Sequence, residues 1–126
     1  ILGKDMAIIS AQMKNTNTDI LDPTGVGTPA GAVPTGKTYA ITNILVCNNS
    51  ASASATFDMH LVKSGSVLSN AITRVVNDLS LPAKETFTFD SEKIILEQGD
   101  KIVLIGSPDI GAGLTNLSAT VSYLEV

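Results

Sequence analysis

Short segments rich in β-branched and other apolar residues fill most of the chain from residue 38 onward, and clusters of Gly, Pro, Asn, Asp and Ser separate them. Segments of this length with a period of two are typical of β-strands. Residues 67–76 also show apolar residues at helical spacing, and there the β-branched content favours a strand near 72–76, with a helical turn before it as an alternative. Several short strands with turn signals between them predict an all-β fold, an antiparallel β-sandwich of the jelly-roll type.

The predicted strands differ in the burial expected of their faces. The segment 38–48 is almost continuously apolar, which predicts burial on both faces. The last segment, 116–126, alternates and carries few charges, so as the edge of a sheet it would need a cover, and this favours a homo-oligomer. Strands are predicted over residues 6–13, 38–48, 55–62, 72–76, 86–90, 93–96, 101–105 and 116–126.

The segment 14–37 is rich in Thr, Gly and Pro and has only a brief apolar break. Long loops of this kind in small domains are usually functional or bound to a partner. We therefore predict two parts within a single domain: residues 1–32 form a strand plus an extended arm, and residues 33–126 form the sandwich. Removal of residues 1–32 is expected to leave a folded domain that has lost its attachment.

Residues 31–38 match the phosphate-binding pattern G-x-x-x-x-G-K-S/T. That pattern works where a buried strand leads through a glycine-rich turn into the N-terminus of a helix. Here loop composition precedes the match and a β-branched segment follows it, so we predict a turn that enters a strand. A nucleotide-binding enzyme is the alternative, and a nucleotide-dependent thermal shift would reveal it.

Composition excludes several classes of function. The net charge of −4 and the scattered Lys residues argue against a nucleic-acid-binding surface. A single Cys rules out an internal disulfide framework, and the absence of a long apolar run predicts no membrane span. The charged fraction of only 16% suits a protein that is packed against neighbours.

No residue is predicted to be catalytic, to bind a cofactor or to ligate a metal. Cys47 is expected to be a buried small hydrophobe, and the turn-placed Asp residues are expected to cap turns. Asp58 and Glu85 could form a carboxylate pair for glycoside cleavage, but nothing fixes their separation. Only Tyr39 and Tyr123 could serve a carbohydrate-binding module as stacking platforms. Alternation over 55–62 places Phe57, Met59 and Leu61 inward and Asp58 and His60 outward, with His60 exposed.

A set of turn and strand patterns occurs along residues 33–126. It consists of Val33-Pro-Thr-Gly-Lys37, Ile41-Thr-Asn-Ile44, Cys47-Asn48, Ala55-Thr-Phe57, Leu79, Pro82-Ala83, Leu96 to Ile102 and Val121 to Val126. In these patterns the chain resembles a family of small β-sandwich virion proteins of tailed bacteriophages, including cyanophages and other marine phages. In that family the Gly-Lys pair is a turn before a strand, which implies that Lys37 faces solvent.

The resemblance implies a non-enzymatic structural protein located in the virion. Its first expected role is that of a capsid decoration (cement) protein, which binds the major capsid protein or other virion proteins and stabilises the head. The alternative is a tail, neck or fibre-associated component of the virion. A carbohydrate-binding module is the third hypothesis. No nucleic-acid or membrane partner and no cofactor is expected.

Overall fold

The computed structural model describes residues 6–27, 30–90 and 94–126, which form two antiparallel sheets and confirm the predicted all-β sandwich. The described part of the chain contains no helix, and therefore none that is long and apolar enough to cross a membrane. The strands are β1 (Met6–Lys14), β2 (Thr18–Asp19), β3 (Thr38–Asn48), β4 (Ala55–Val62), β5 (Arg74–Leu81), β6 (Thr86–Phe89), β7 (Ile94–Glu97), β8 (Lys101–Ser107) and β9 (Leu114–Glu125).

The strand order places the first and the last strand side by side in sheet A. Sheet A has the strand order β1-β9-β3-β6. Its fifth strand, β7, also pairs with β3. Sheet B runs β2-β8-β4-β5. Apart from the pair β4 and β5, neighbouring strands are thus many residues apart in sequence, and sheet A is incomplete without β9, the last strand. The finer jelly-roll assignment stays a prediction.

The core lies between the two sheets and is built mainly from aliphatic side chains. On β9 the predicted alternation is confirmed, since Leu117, Ala119 and Val121 are fully buried. Sheet B contributes the inward side chains of β4, among them Phe57 and Met59, which are also buried. With no Trp in the chain, close packing of these aliphatic residues supplies most of the buried apolar area.

The prediction that β3 is buried on both faces is wrong. Ile44 and Val46 point into the core and are fully buried, whereas Leu45 and Cys47 between them are half-buried. The cause is tertiary, because β3 lies in the middle of sheet A but nothing in the described chain covers the outer side of that sheet. Cys47 is accordingly half-buried, and the prediction that it is a buried core residue is wrong.

The predicted extended arm is also not what the described residues show. β1 pairs with β9 from Met6 to Lys14, and β2 pairs with β8 in the opposite sheet. Ile20 is fully buried and Leu21 nearly so, and Val33 at the far end of the segment is buried as well. Thr28 and Pro29 lie outside the described residues. The boundary between 32 and 33 therefore does not separate a free arm from the sandwich, because residues on both sides of it enter the core.

Strand β9 is not an edge strand, contrary to our expectation. It lies between β1 and β3, so both of its edges are paired. The few charges on this strand reflect its central position, and the edges of sheet A are β1 on one side and the short β6 and β7 on the other.

The burial of Ile20 gives a direct test of whether segment 14–37 belongs to the core. Ile20→Ala should lower the free energy of unfolding by about 2–5 kcal/mol, because it leaves a cavity at a fully buried position. Val26 lies in the same segment but is 84% exposed, so Val26→Ala should change it by less than about 0.5 kcal/mol. Urea unfolding of both variants is the measurement. Equal and small changes in the free energy of unfolding for both variants would instead support the predicted extended arm.

Candidate functional site

The segment that matches the phosphate-binding pattern is a turn followed by a strand, as predicted. The Lys37 N–H donates to the Pro34 carbonyl at 3.1 Å, and β3 begins at the next residue. Gly31 and Gly36 have positive φ angles of 74° and 80°, which side chains rarely allow. The segment thus lacks the helix N-terminus that gives a phosphate loop its anion-binding dipole.

The donors of this turn are also already used inside the protein. The Gly31 N–H donates to the Asp22 carboxylate at 3.2 Å, and the Gly36 N–H donates to the Gln98 side chain at 2.7 Å. Lys37 faces solvent, as the resemblance implies, with 45% of its side chain exposed, and its Nζ lies 3.0 Å from the Glu125 carboxylate in a surface ion pair. A phosphate would have to displace all three contacts.

Asp22 acts as a cap for its own loop, as predicted for the turn-placed aspartates. Its carboxylate accepts hydrogen bonds from the N–H groups of Gly27 and Gly31 and from the Thr24 hydroxyl. Desolvation raises the pKa of Asp22, but these hydrogen bonds outweigh it and lower the pKa below its ordinary value. Asp100 has the same role, since its two carboxylate oxygens accept from the backbone of different turns.

His60 points to the outer side of sheet B, as alternation predicted, but it is fully buried and not exposed. Its Nδ1 lies 2.8 Å from the Thr73 hydroxyl oxygen, and its Nε2 has no hydrogen-bond partner among the described residues. Desolvation lowers the pKa of His60, Arg74 lowers it further, and Asp58 opposes both. The imidazole is therefore held neutral.

The cover over His60 is the segment 63–73, which crosses the outer side of sheet B. The Thr73 carbonyl accepts from the Leu61 N–H at 3.0 Å, and the Thr73 N–H donates to the Ser69 carbonyl in a helical turn before β5, the turn that the sequence left open. The Thr73 hydroxyl donates to the Ser69 carbonyl and accepts from the Ser69 N–H. Because the only hydroxyl hydrogen of Thr73 is used in the bond to Ser69, its oxygen accepts the hydrogen bond from His60. The proton of the neutral imidazole is therefore on Nδ1.

The other residues considered as chemical groups are spread over the molecule. Cys47 lies on sheet A and His60 on the outer side of sheet B, so the only histidine cannot serve as a base for the thiol. Asp58 contacts Arg74 at 3.9 Å rather than a second carboxylate. Within the described ranges, no group of three or more His, Cys, Asp or Glu side chains could hold a metal ion.

The two tyrosines stack on each other and offer no open platform for a sugar. Their ring centroids are 4.1 Å apart, and Tyr39 is buried. Burial and the hydrogen bond with Tyr123 raise the pKa of Tyr39 to about 12. A cleft of about 330 Å³ beside the 63–68 turn is lined by Asp19, Lys63 and Lys101, among others, but it includes no aromatic ring.

The outer face of sheet A is left uncovered by the described residues. Away from the rim its outward side chains carry no charge, and hydroxyl groups among them bond to one another: Ser10 to Thr120 at 2.9 Å, and Thr42 to the Ser122 hydroxyl. Charges appear only at its rim, including Lys14 and Glu97. We call this surface the uncharged face; its residues are Met6, Ile8, Ser10, Gln12, Ala40, Thr42, Leu45, Cys47, Thr86, Thr88, Ile95, Ser118, Thr120, Ser122 and Leu124.

The sequence contains only one signal for this surface. Ser118, Thr120 and Ser122 alternate with the core residues of β9, which places them on a common face. The positions on β1, β3, β6 and β7 join them only through the sheet order, which places strands from both ends of the chain side by side. The outer side of sheet B differs, because it carries Asp58 and Arg74 and is partly covered.

Because the hydrogen-bond donors of the 31–38 turn are already bonded within the protein, we predict that the protein does not bind nucleotides there. Millimolar ATP with Mg²⁺ should leave the melting temperature unchanged in the native protein and in Lys37→Ala alike. A melting temperature that rises with ATP in the native protein but not in the variant would contradict this interpretation.

The burial of neutral His60 predicts a specific loss of stability in mild acid. Its folded-state pKa lies below the ordinary value of about 6.5, so the unfolded chain takes up the proton first. The stabilisation is complete above about pH 6.5 and is lost as the pH falls toward the lowered pKa. His60→Asn keeps a donor for Thr73 but cannot titrate. Urea midpoints between about pH 7.5 and pH 5.5 should fall more steeply in the native protein than in this variant, and parallel slopes would contradict the prediction.

Comparison with known proteins identifies no relative: no protein-family model matches the sequence, and no curated protein matches it significantly.

Proposed function

We propose that this chain is a non-enzymatic structural protein of a tailed-bacteriophage virion, and specifically a capsid decoration protein that attaches to the major capsid protein on the surface of the head. The observation that carries the proposal is the uncharged face, which extends across all five strands of sheet A. The resemblance of residues 33–126 to small virion sandwiches supplies the setting.

The uncharged face is chemically suited to permanent contact with a neighbour. Burying a charge without a partner is costly, and the strand positions of this face have none to bury. Several of its hydroxyl groups already bond to each other, as in the pairs Ser10–Thr120 and Thr42–Ser122, so water can leave without stranding them. Apolar side chains at one end, Met6, Ile8 and Ile95, add area that gains from burial.

Repetition would make a contact of this kind effective. A single uncharged contact of this kind is weak, but copies that are joined to one another on a symmetric shell bind as a unit, and their combined binding exceeds that of one copy by orders of magnitude. The uncharged face, and not a detached arm, is the attachment surface in this proposal, since the described residues of the first third of the chain belong to the sandwich.

The alternative places in the virion share the same chemistry and differ in copy number. A decoration protein is present in hundreds of copies per particle and a tail, neck or fibre component in far fewer, because shell and tail have different symmetry. Quantitative mass spectrometry of purified particles that encode this chain separates the two. Its absence from the particles would overturn the virion role altogether.

The role of the uncharged face can be tested with matched charge substitutions. Thr120→Lys puts a charge in the middle of the face on a central strand, whereas Val75→Lys puts the same charge at an exposed position of β5 in the other sheet. In reconstitution with particles stripped of the protein, Thr120→Lys should lower occupancy at least about tenfold, and Val75→Lys should bind like the native protein. Equal binding by both variants would exclude the uncharged face as the docking surface.

A further inference from the structure

We propose that β1 pairs with β1 of a second copy of this chain, so that sheet A continues across a two-fold axis into a dimer. The proposal rests on the edge of the sheet and not on the virion role, and each can fail without the other. β1 pairs with β9 on one side, and on its other side the described residues provide no strand. From Met6 to Gln12 its outward backbone N–H and C=O groups are thus open to a further strand, whereas the Lys14 N–H donates to the Thr18 hydroxyl at 2.8 Å.

β1 lacks the devices that normally block such an edge. It runs for nine residues, its only charge is Lys14 at the last position, and its register with β9 is regular from Met6 to Gln12. Two of its side chains, Met6 and Ile8, are 68% and 71% exposed. Natural edges are protected by charges, bulges, prolines or short length, and a long, apolar, regular edge without them is available for pairing.

The other sheet edges in the described chain are blocked. β2 has two residues, and β6 and β7 have four each. β5 is longer, but it carries Arg74 and Asp78, its pairing with β4 is irregular, and Asp78 has a φ of 50°. Such an edge cannot accept a straight partner strand. Only β1 offers a long regular edge, so the strand that complements it within this protein is another β1.

Identical strands that pair in antiparallel fashion are related by a two-fold axis, and the contact closes on itself. Centring the pair on Ile9 uses the whole regular stretch from Met6 to Gln12. On the core side Ile9 then meets its own copy, and on the outer side Ile8 lies opposite Ser10 and Met6 opposite Gln12. These pairs bury apolar surface and place no charge against a charge.

The remaining charge on the strand does not oppose the dimer. In this register the two Lys14 residues lie at opposite ends of the ladder, ten residue steps apart, or roughly 34 Å. That exceeds the screening length of about 8 Å at physiological ionic strength several times over, so their repulsion is negligible. The dimer would join two uncharged faces into one continuous surface of twice the width, with no long edge left open for further growth.

Sedimentation velocity and light scattering of the purified full chain test the pairing directly. The native protein should be a dimer that dissociates on dilution. Ile8→Lys introduces a charge in the middle of the proposed contact, and because each dimer carries it twice, the dissociation constant should rise by about a hundredfold or more. Ile72→Lys adds the same charge at a site that is 84% exposed and outside every strand, and it should remain a dimer.

A second variant guards against failure of Ile8→Lys to fold. Ile8→Thr keeps a β-branched residue on the strand but removes its apolar end, and it should weaken the dimer less than Lys does while unfolding cooperatively. A native protein that is monomeric at every concentration, an open-ended polymer, or a dimer that Ile8→Lys and Ile72→Lys leave equally intact would each overturn the proposal.

Discussion

The pairing of β9 with both β1 and β3 is the interaction on which the rest of the structure depends. This last strand joins the beginning of the chain to its middle within sheet A, and its inward side chains Leu117, Ala119 and Val121 are fully buried. Without it β1 would have no partner and the inner face of sheet A would lose its central row. These contacts join residues that are distant in sequence, so forming them costs conformational entropy of the intervening loops. The contacts that offset this cost exist only once β9 is in place.

The two sheets of the sandwich use their outer faces in opposite ways. Sheet B carries the charged residues Asp58 and Arg74 outside, and the 63–73 segment covers His60, which bonds to Thr73. Sheet A carries hydroxyl and apolar groups outside and is left uncovered by the described residues. The first face is partly covered by the chain itself, whereas the second is suited to contact with another molecule. This asymmetry is the physical basis for assigning attachment to sheet A.

The proposed dimer and the proposed docking surface act on different parts of the same sheet. Pairing through β1 uses backbone groups at the edge of the sheet, whereas docking uses side chains on its outer face. Both contacts can therefore form at the same time. A two-fold pair would present a wider rigid surface to a lattice and would add a second point of attachment, which strengthens weak contacts by raising the effective concentration of the second site.

The sequence by itself determined the fold class, most strands and the turn at residues 31–38, because period-two alternation and turn chemistry are local properties that tertiary contacts did not override. It determined the direction of His60 but not its burial, since alternation says which way a side chain points and not what lies over it. Tertiary structure alone decided that β9 is central, that Ile20 and Leu21 enter the core, and that scattered Ser, Thr and Ile positions form one uncharged face. These features depend on which strands become neighbours, and in a sandwich that choice is made by contacts across most of the chain.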